Sequence, residues 1–71
     1  MAQEVLSPLS GKIFKINVQV GDAVEEDDEI IIIEAMKMET PVFAPCDGTI
    51  KEIKVKEGAT VDEDDVLAII G

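Results

Sequence analysis

One lysine stands between two methionines at the centre of the chain, in the segment 34–39, which reads Glu-Ala-Met-Lys-Met-Glu. The primary amine of Lys37 can act as a nucleophile toward an activated carbonyl group. Met36 and Met38 flank it with thioethers, which make adaptable apolar contacts with more than one partner. These residues are therefore candidates for a modified or recognised site, whose chemistry would depend on how the chain presents them.

Most catalytic and metal-binding arrangements lack their parts in this sequence. The chain has no histidine and one cysteine, Cys46, so nucleophile–base triads and zinc sites cannot be assembled. A single cysteine forms no internal disulfide, which favours an intracellular, cytoplasmic setting. The acidic runs lack the ligand spacing and central glycine of a calcium-binding EF-hand. We therefore predict no catalytic residue, no metal site and no independent enzyme.

The charge and hydropathy of the chain exclude two classes of partner. A net charge of −10 opposes binding to nucleic acid and to anionic membrane surfaces. No apolar run approaches the roughly 18 residues that a membrane-spanning segment needs, and the first residues do not resemble a signal peptide. We expect neither nucleic-acid binding nor direct membrane insertion.

Composition favours an all-β domain. The 71 residues suffice for one domain, 1–71, with a small core. Ten isoleucines and eight valines dominate the apolar residues, against three leucines. β-branched side chains fit a pleated sheet better than a helix.

The chain also contains an internal repeat. Residues 8–33 and 45–70 align at an offset of 37 and are identical at 12 of 26 positions. This pattern predicts two copies of one supersecondary unit, related by a pseudo-two-fold axis, each completing the core of the other. The identical pairs are Pro8/Pro45, Gly11/Gly48, Ile13/Ile50, Ile16/Ile53, Val18/Val55, Gly21/Gly58, Val24/Val61, Glu26/Glu63, Asp27/Asp64, Asp28/Asp65, Ile32/Ile69 and Ile33/Ile70.

The sequence of each copy predicts strands separated by turns. The first strand carries apolar residues at intervals of three and then two, which predicts a β-bulge near 14–15 and again near 51–52. Gly21 and Gly58 then turn the chain, and the acidic segments 25–29 and 62–65 are expected to be exposed loops. The run Ile30–Ile33 predicts a strand that is covered on both faces.

The connector 34–44 between the two copies is expected to form a hairpin. Residues 34–39 have intrinsic helix propensity, but a helix there would lack a cap and would end before Pro41. Because the repeat restarts at Pro45, the connector must reverse direction. We therefore predict a strand to about Ala35, a tip at Met36-Lys37, and a returning edge strand on which Pro41 is tolerated.

Met-Lys is a poor choice for a tight hairpin tip. Such tips favour Asn-Gly or Gly-x because their backbone often needs a positive φ. Departures from local rules tend to mark functional sites. The alternative remains that Met36 and Met38 face the core and that Lys37 is an ordinary surface lysine.

The segment 34–39 resembles the biotinylation site of the biotinyl/lipoyl attachment-domain family, whose signature is Ala-Met-Lys-Met. Three further features are similar to that family: Pro8-x-x-Gly11, the turn at Gly21-Asp22, and Ala44-Pro45-x-x-Gly48. The match covers essentially the whole chain, and the lysine lies midway between the repeats. The resemblance implies a flattened β-barrel, or barrel-sandwich hybrid, of about eight short strands.

The resemblance also implies a function. Lys37 would carry covalent biotin, Met36 and Met38 would serve recognition, and a biotin protein ligase would supply the activated acyl group. The biotinyl group would shuttle a carboxyl group between biotin carboxylase and carboxyltransferase sites. Thr40-Pro41 departs from the asparagine common in relatives. The two copies align without a gap, so there is no room for the "thumb" of some acetyl-CoA carboxylase carriers. This points to carboxylases of pyruvate, propionyl-CoA or oxaloacetate type, to decarboxylases and to transcarboxylases.

Two other functions belong to the same fold. A lipoyl carrier domain usually has an aspartate before its lysine and a small apolar residue after it, and the two methionines disfavour it. An unmodified barrel-sandwich module with a structural role is disfavoured by the lysine between the methionines.

Overall fold

The computed structural model describes residues 2–71, and these residues form eight strands with no helix. Within the described residues, therefore, no helix is long and apolar enough to cross a membrane. The strands are short, as the regularly spaced turns of the sequence require. They are β1 (Gln3–Leu6), β2 (Gly11–Ile16), β3 (Ala23–Val24), β4 (Glu29–Ala35), β5 (Met38–Phe43), β6 (Gly48–Ile53), β7 (Thr60–Val61) and β8 (Val66–Ile70).

The strands form two four-stranded antiparallel sheets. One has the order β1-β8-β6-β3 and the other has the order β5-β4-β2-β7. Each sheet takes strands from both halves of the chain, because β7 pairs with β2 and β3 pairs with β6. Each repeat therefore contributes strands to both sheets, as the predicted completion of one core by the other requires. The predicted all-β class, with eight short strands in a flattened barrel-sandwich, is confirmed.

The core lies between the two sheets and consists of β-branched side chains from both. Three of the four consecutive isoleucines of β4 are buried, and Ile32 is half-buried. An irregularity in the register between Glu29 and Ile31 places Ile30 and Ile31 both inside. The expectation of a strand covered on both faces is therefore wrong, because the irregularity explains the two consecutive buried isoleucines and Ile32, on the other face, is only half-buried. The fully buried large apolar side chains are Ile13, Ile30, Ile31, Ile33, Ile50, Leu67 and Ile70.

Both predicted bulges are present. The register of β2 against β4 shifts between Ile13 and Lys15, and that of β6 against β8 shifts between Ile50 and Glu52. A bulge inserts one residue and so returns the next apolar side chain to the core face. The interval of three in the sequence is the direct signature of this extra residue.

The acidic turns are built by their own carboxylates. Gly21 and Gly58 have φ of 98° and 91°, as a chain reversal at glycine allows. The backbone N–H of Glu25 donates to Asp28 Oδ2 at 2.9 Å, and that of Asp62 donates to Asp65 Oδ2 at 2.8 Å. Aspartate side chains that accept such local bonds stabilise turns. The repeated acidic residues thus have a structural role that the sequence did not reveal.

Candidate functional site

Strands β4 and β5 form a hairpin with a two-residue turn. Ala35 pairs with Met38, Glu34 with Glu39 and Ile33 with Thr40, so Met36 and Lys37 alone form the tip. The predicted hairpin and the predicted tip are therefore confirmed. Strand β5 lies at the edge of its sheet, as predicted from its proline.

Both tip residues have a left-handed backbone. Met36 has φ of 52° and Lys37 has φ of 65°. Two successive positive φ values define a type I′ turn, whose twist matches that of the flanking strands. The conformation costs a non-glycine residue roughly 1–2 kcal/mol. Asn-Gly would fit this backbone at lower cost, so turn geometry alone does not explain why Met36 and Lys37 stand here.

The tip side chains extend into solvent. Met36 is 94% exposed and Met38 is 69% exposed, and Lys37 is also exposed. Within residues 2–71 the one ion pair joins Lys54 to Glu52, so Lys37 takes part in none. The alternative in which the methionines pack in the core is therefore wrong. The arrangement presents an accessible primary amine between two accessible thioethers.

Gly11 supports the base of the hairpin, a role that sequence inspection missed. A Cβ atom at Gly11 would lie 2.7 Å from the carbonyl oxygen of Glu34 and 3.1 Å from the Cβ of Ala35. Only glycine lets β2 approach β4 this closely, immediately before the turn. The sequence shows glycine at this position in both repeats, as Gly11 and Gly48. In the structure Gly48 makes an equivalent close approach, to Ile70. The contact of Gly11 with the hairpin could not be predicted from the sequence.

Charged side chains form a row across the sheet beside the tip. Glu34 of β4 lies between Lys12 of β2 and Glu39 of β5 in the register. All three side chains are exposed. Two carboxylates directly opposite one another are mildly unfavourable in a sheet, and an adjacent lysine offsets this. The hairpin therefore carries two carboxylates close to Lys37, and Lys12 is the nearest cation in register.

A comparison with protein families decides the assignment. The family described as "Biotin-requiring enzyme" matches residues 3–70, which is nearly the whole chain. The chain belongs to this family. It is a biotin carrier domain and not a catalytic domain, and its cofactor is covalently attached biotin.

Curated relatives include proteins named as subunits of a decarboxylase and of carboxylases. The chain is 47% identical over 38 residues to the glutaconyl-CoA decarboxylase subunit gamma of Acidaminococcus fermentans, covering 54% of this chain and 26% of that one. It is 51% identical over 35 residues to the mitochondrial propionyl-CoA carboxylase alpha chain of Caenorhabditis elegans, covering 49% of this chain and 5% of that one. This carrier domain thus corresponds to a small part of each longer relative.

A solved structure has the same fold. The urea carboxylase of Kluyveromyces lactis matches 100% of this chain and 6% of its own, with a TM-score of 0.94 and 39% sequence identity. The hairpin of the present carrier domain fits the chemistry of covalent attachment. An amide bond to a carboxylic acid needs one accessible amine, and Lys37 offers it without a competing ion pair within the described residues.

Proposed function

We propose that Lys37 is the biotin attachment residue, that Met36 and Met38 are recognition residues, and that the domain carries a carboxyl group between two enzyme sites. One observation carries the proposal above all others. Lys37 occupies an exposed and strained two-residue tip, with φ of 65°, between two exposed methionines. Such strain persists where presentation of a side chain matters more than the stability of the turn.

The loading step needs a partner enzyme. Amide formation needs an activated acyl group, and the residues beside the tip in register, Glu34 and Glu39, do not supply one. A biotin protein ligase must therefore supply an activated acyl group. The exposed thioethers give the ligase an apolar surface on each side of the amine.

Biotin supplies the carboxyl-carrying chemistry when it is bound, and the partner enzymes supply the catalysis. The domain contributes tethering. The carboxyl group must pass from a biotin carboxylase site to a carboxyltransferase site. Because the carrier is linked to these enzymes, this transfer becomes an intramolecular event at high effective concentration. The names of the relatives support carboxylase, decarboxylase or transcarboxylase systems, and we propose a cytoplasmic setting for this chain.

Incubation of the purified chain with a biotin protein ligase, biotin and ATP tests the proposal. Intact mass should show addition of a single biotinyl group, and peptide mapping should place it on Lys37. Lys37→Arg should keep the fold, because arginine retains the charge and is no harder to place at the tip, and it should bind no avidin. Lys12→Arg, on the same sheet, is the matched control and should be biotinylated normally. Biotin on the Lys37→Arg chain would disprove the assignment.

Treatment with a lipoyl ligase separates the biotin carrier from its lipoyl relative. The wild-type chain should accept little or no lipoate. Met36→Asp together with Met38→Ala should shift modification toward lipoate with Lys37 still the acceptor, because specificity is a difference between two affinities. Efficient lipoylation of the wild type without biotin uptake would instead establish a lipoyl carrier, and no modification of a folded chain by either ligase would favour a structural module.

A further inference from the structure

The two methionines that flank Lys37 have the most exposed large apolar side chains of the described residues. Met36 is 94% exposed and Met38 is 69% exposed, whereas the next values are 63% for Val20 and 50% for Phe14. Leucine would offer a recognition surface of similar size and polarity. The thioether adds one property that leucine lacks, which is reaction with oxidants.

The one other sulfur atom in residues 2–71, that of Cys46, is less accessible. Cys46 is half-buried and packs against the core beside the turn that opens the second repeat. Met36 and Met38 have no comparable cover, so a small oxidant in solvent reaches the hairpin first. Two oxidisable side chains thus flank the acceptor lysine directly in sequence and at the same exposed turn.

The chemistry is a two-electron oxygen transfer. A lone pair on the methionine sulfur attacks one oxygen of hydrogen peroxide, the O–O bond breaks, and an S–O bond forms. The second peroxide oxygen leaves as water after proton transfer. Sulfur is oxidised to a sulfoxide and peroxide is reduced. The product is polar and chiral, and methionine sulfoxide reductases return it to the thioether.

The consequence is confined to recognition. Because the tip side chains have so little packing, their oxidation leaves the core and both sheets intact. It replaces two apolar contacts on either side of Lys37 with polar, hydrated groups. A partner that buries these thioethers loses the apolar contact and must desolvate the sulfoxide oxygen.

We propose that Met36 and Met38 form a peroxide-sensitive modification site, whose reversible oxidation slows the loading of Lys37 without unfolding the domain. The inference rests on the proposed function, since it needs Lys37 to be the acceptor. The preferential oxidation of Met36 and Met38 does not depend on biotin and can be measured by mass spectrometry alone.

The experiment uses the full chain with Cys46→Ser, so that thiol oxidation does not contribute. Hydrogen peroxide is applied to the unbiotinylated protein, sulfoxides are located by peptide mapping, and melting is followed by circular dichroism. The rate of biotin incorporation by a biotin protein ligase is then measured. We expect oxidation at both Met36 and Met38, an unchanged Tm, and a loss of about tenfold in ligase kcat/KM, as removal of one or two apolar contacts implies.

Single and double leucine variants provide the controls. Whatever its rate of biotinylation before peroxide treatment, Met36→Leu with Met38→Leu should keep that rate afterwards, because leucine is not oxidised. Methionine sulfoxide reductases of both stereospecificities should restore the wild-type rate. Full oxidation with an unchanged rate, or a loss of rate that the double leucine variant shares, would overturn the inference. Failure of the untreated wild type to accept biotin would instead overturn the proposed function and with it the loading effect, while the mass map would still report where peroxide acts.

Discussion

The tip of the hairpin combines two residue types with a backbone that suits neither. Met36 and Lys37 have φ of 52° and 65°, and a glycine would adopt these angles without steric cost. The identity of Lys37 is explained by the proposed acylation. Met36 has no packing role in the structure, because it is 94% exposed. At the residue scale, folding stability alone therefore does not explain the residues at this turn, whereas the proposed attachment and recognition roles do.

Met36→Gly should stabilise the domain and impair its loading. Relief of about 1–2 kcal/mol of left-handed strain exceeds the 0.5–1 kcal/mol entropic cost of glycine, so we expect a gain of about 0.5–1 kcal/mol, or roughly 3–6 °C in Tm. Thermal melting checks the first effect, and the rate of ligase-dependent biotinylation checks the second.

Met36→Ala is the matched control, because it removes the same side chain without removing the strain. Its Tm should stay near that of the wild type, while its biotinylation should slow as much as that of Met36→Gly. If both variants were biotinylated at the wild-type rate, Met36 would have no part in recognition.

At the scale of elements, the hairpin is held by the strand beside it. Gly11 of β2 lets the backbone approach Glu34 and Ala35 at the end of β4, and the bulge after Ile13 keeps the rest of β2 in register with the core. Presentation of the lysine thus depends on two neighbouring strands and not on the hairpin sequence alone.

Gly11→Ala should displace the base of the hairpin. A methyl group placed 2.7 Å from the Glu34 carbonyl oxygen requires a backbone shift, which costs about 1–3 kcal/mol of unfolding free energy. The shift moves the end of β4, so biotinylation of the folded protein should slow as well. Denaturant unfolding and ligase kinetics at a temperature where the variant is folded measure the two effects.

Gly48→Ala separates instability from misplacement. Its Cβ would lie 2.6 Å from the Cγ2 atom of Ile70, in the other sheet, so the loss of stability should be similar. Its loading kinetics should match those of the wild type once folded. Equal slowing in both variants would mean that Gly11 acts through global stability and does not position the hairpin.

At the scale of the whole molecule, charge is the dominant unbalanced property. The net charge is −10, the chain extends 33 × 17 × 16 Å, and residues 2–71 hold a single ion pair, between Lys54 and Glu52. Like charges crowded on a small domain repel one another and lower the stability of the compact state. Negative charge of this kind is repelled by the phosphates of nucleic acid and attracted by basic protein surfaces.

Added salt should therefore stabilise the domain. The screening length falls from about 30 Å at 0.01 M to about 3 Å at 1 M, which removes most repulsion across the molecule. We expect Tm to rise by about 5 °C between these sodium chloride concentrations. Glu25→Gln with Glu63→Gln, both exposed in the acidic turns, should raise Tm at low salt and flatten the dependence. A Tm that falls as salt is added would show that attractive pairs outweigh the repulsion.

The sequence by itself determined the fold class, the strand pattern and the position of the lysine. β-branched composition, the interval of three at each bulge and the repeated glycines are local signals, because they follow from the geometry of single strands and turns. The hairpin tip could also be predicted from the sequence, because the repeat begins again at Pro45 and the connector must therefore reverse the direction of the chain. Residues 34–39 have helix propensity, but topology overrode it.

Only the tertiary structure decided what surrounds that lysine. The exposure of Met36 and Met38 depends on which face of the turn the sheets leave uncovered, and a local pattern allows either face. The contact of Gly11 with the end of β4 joins residues 23 or more positions apart in the chain. Strand β3 of the first repeat pairs with β6, and β7 of the second repeat pairs with β2. The two halves of the chain therefore contact each other only in the folded protein. Side-chain exposure and close approach are properties of this pairing, which no local sequence pattern encodes.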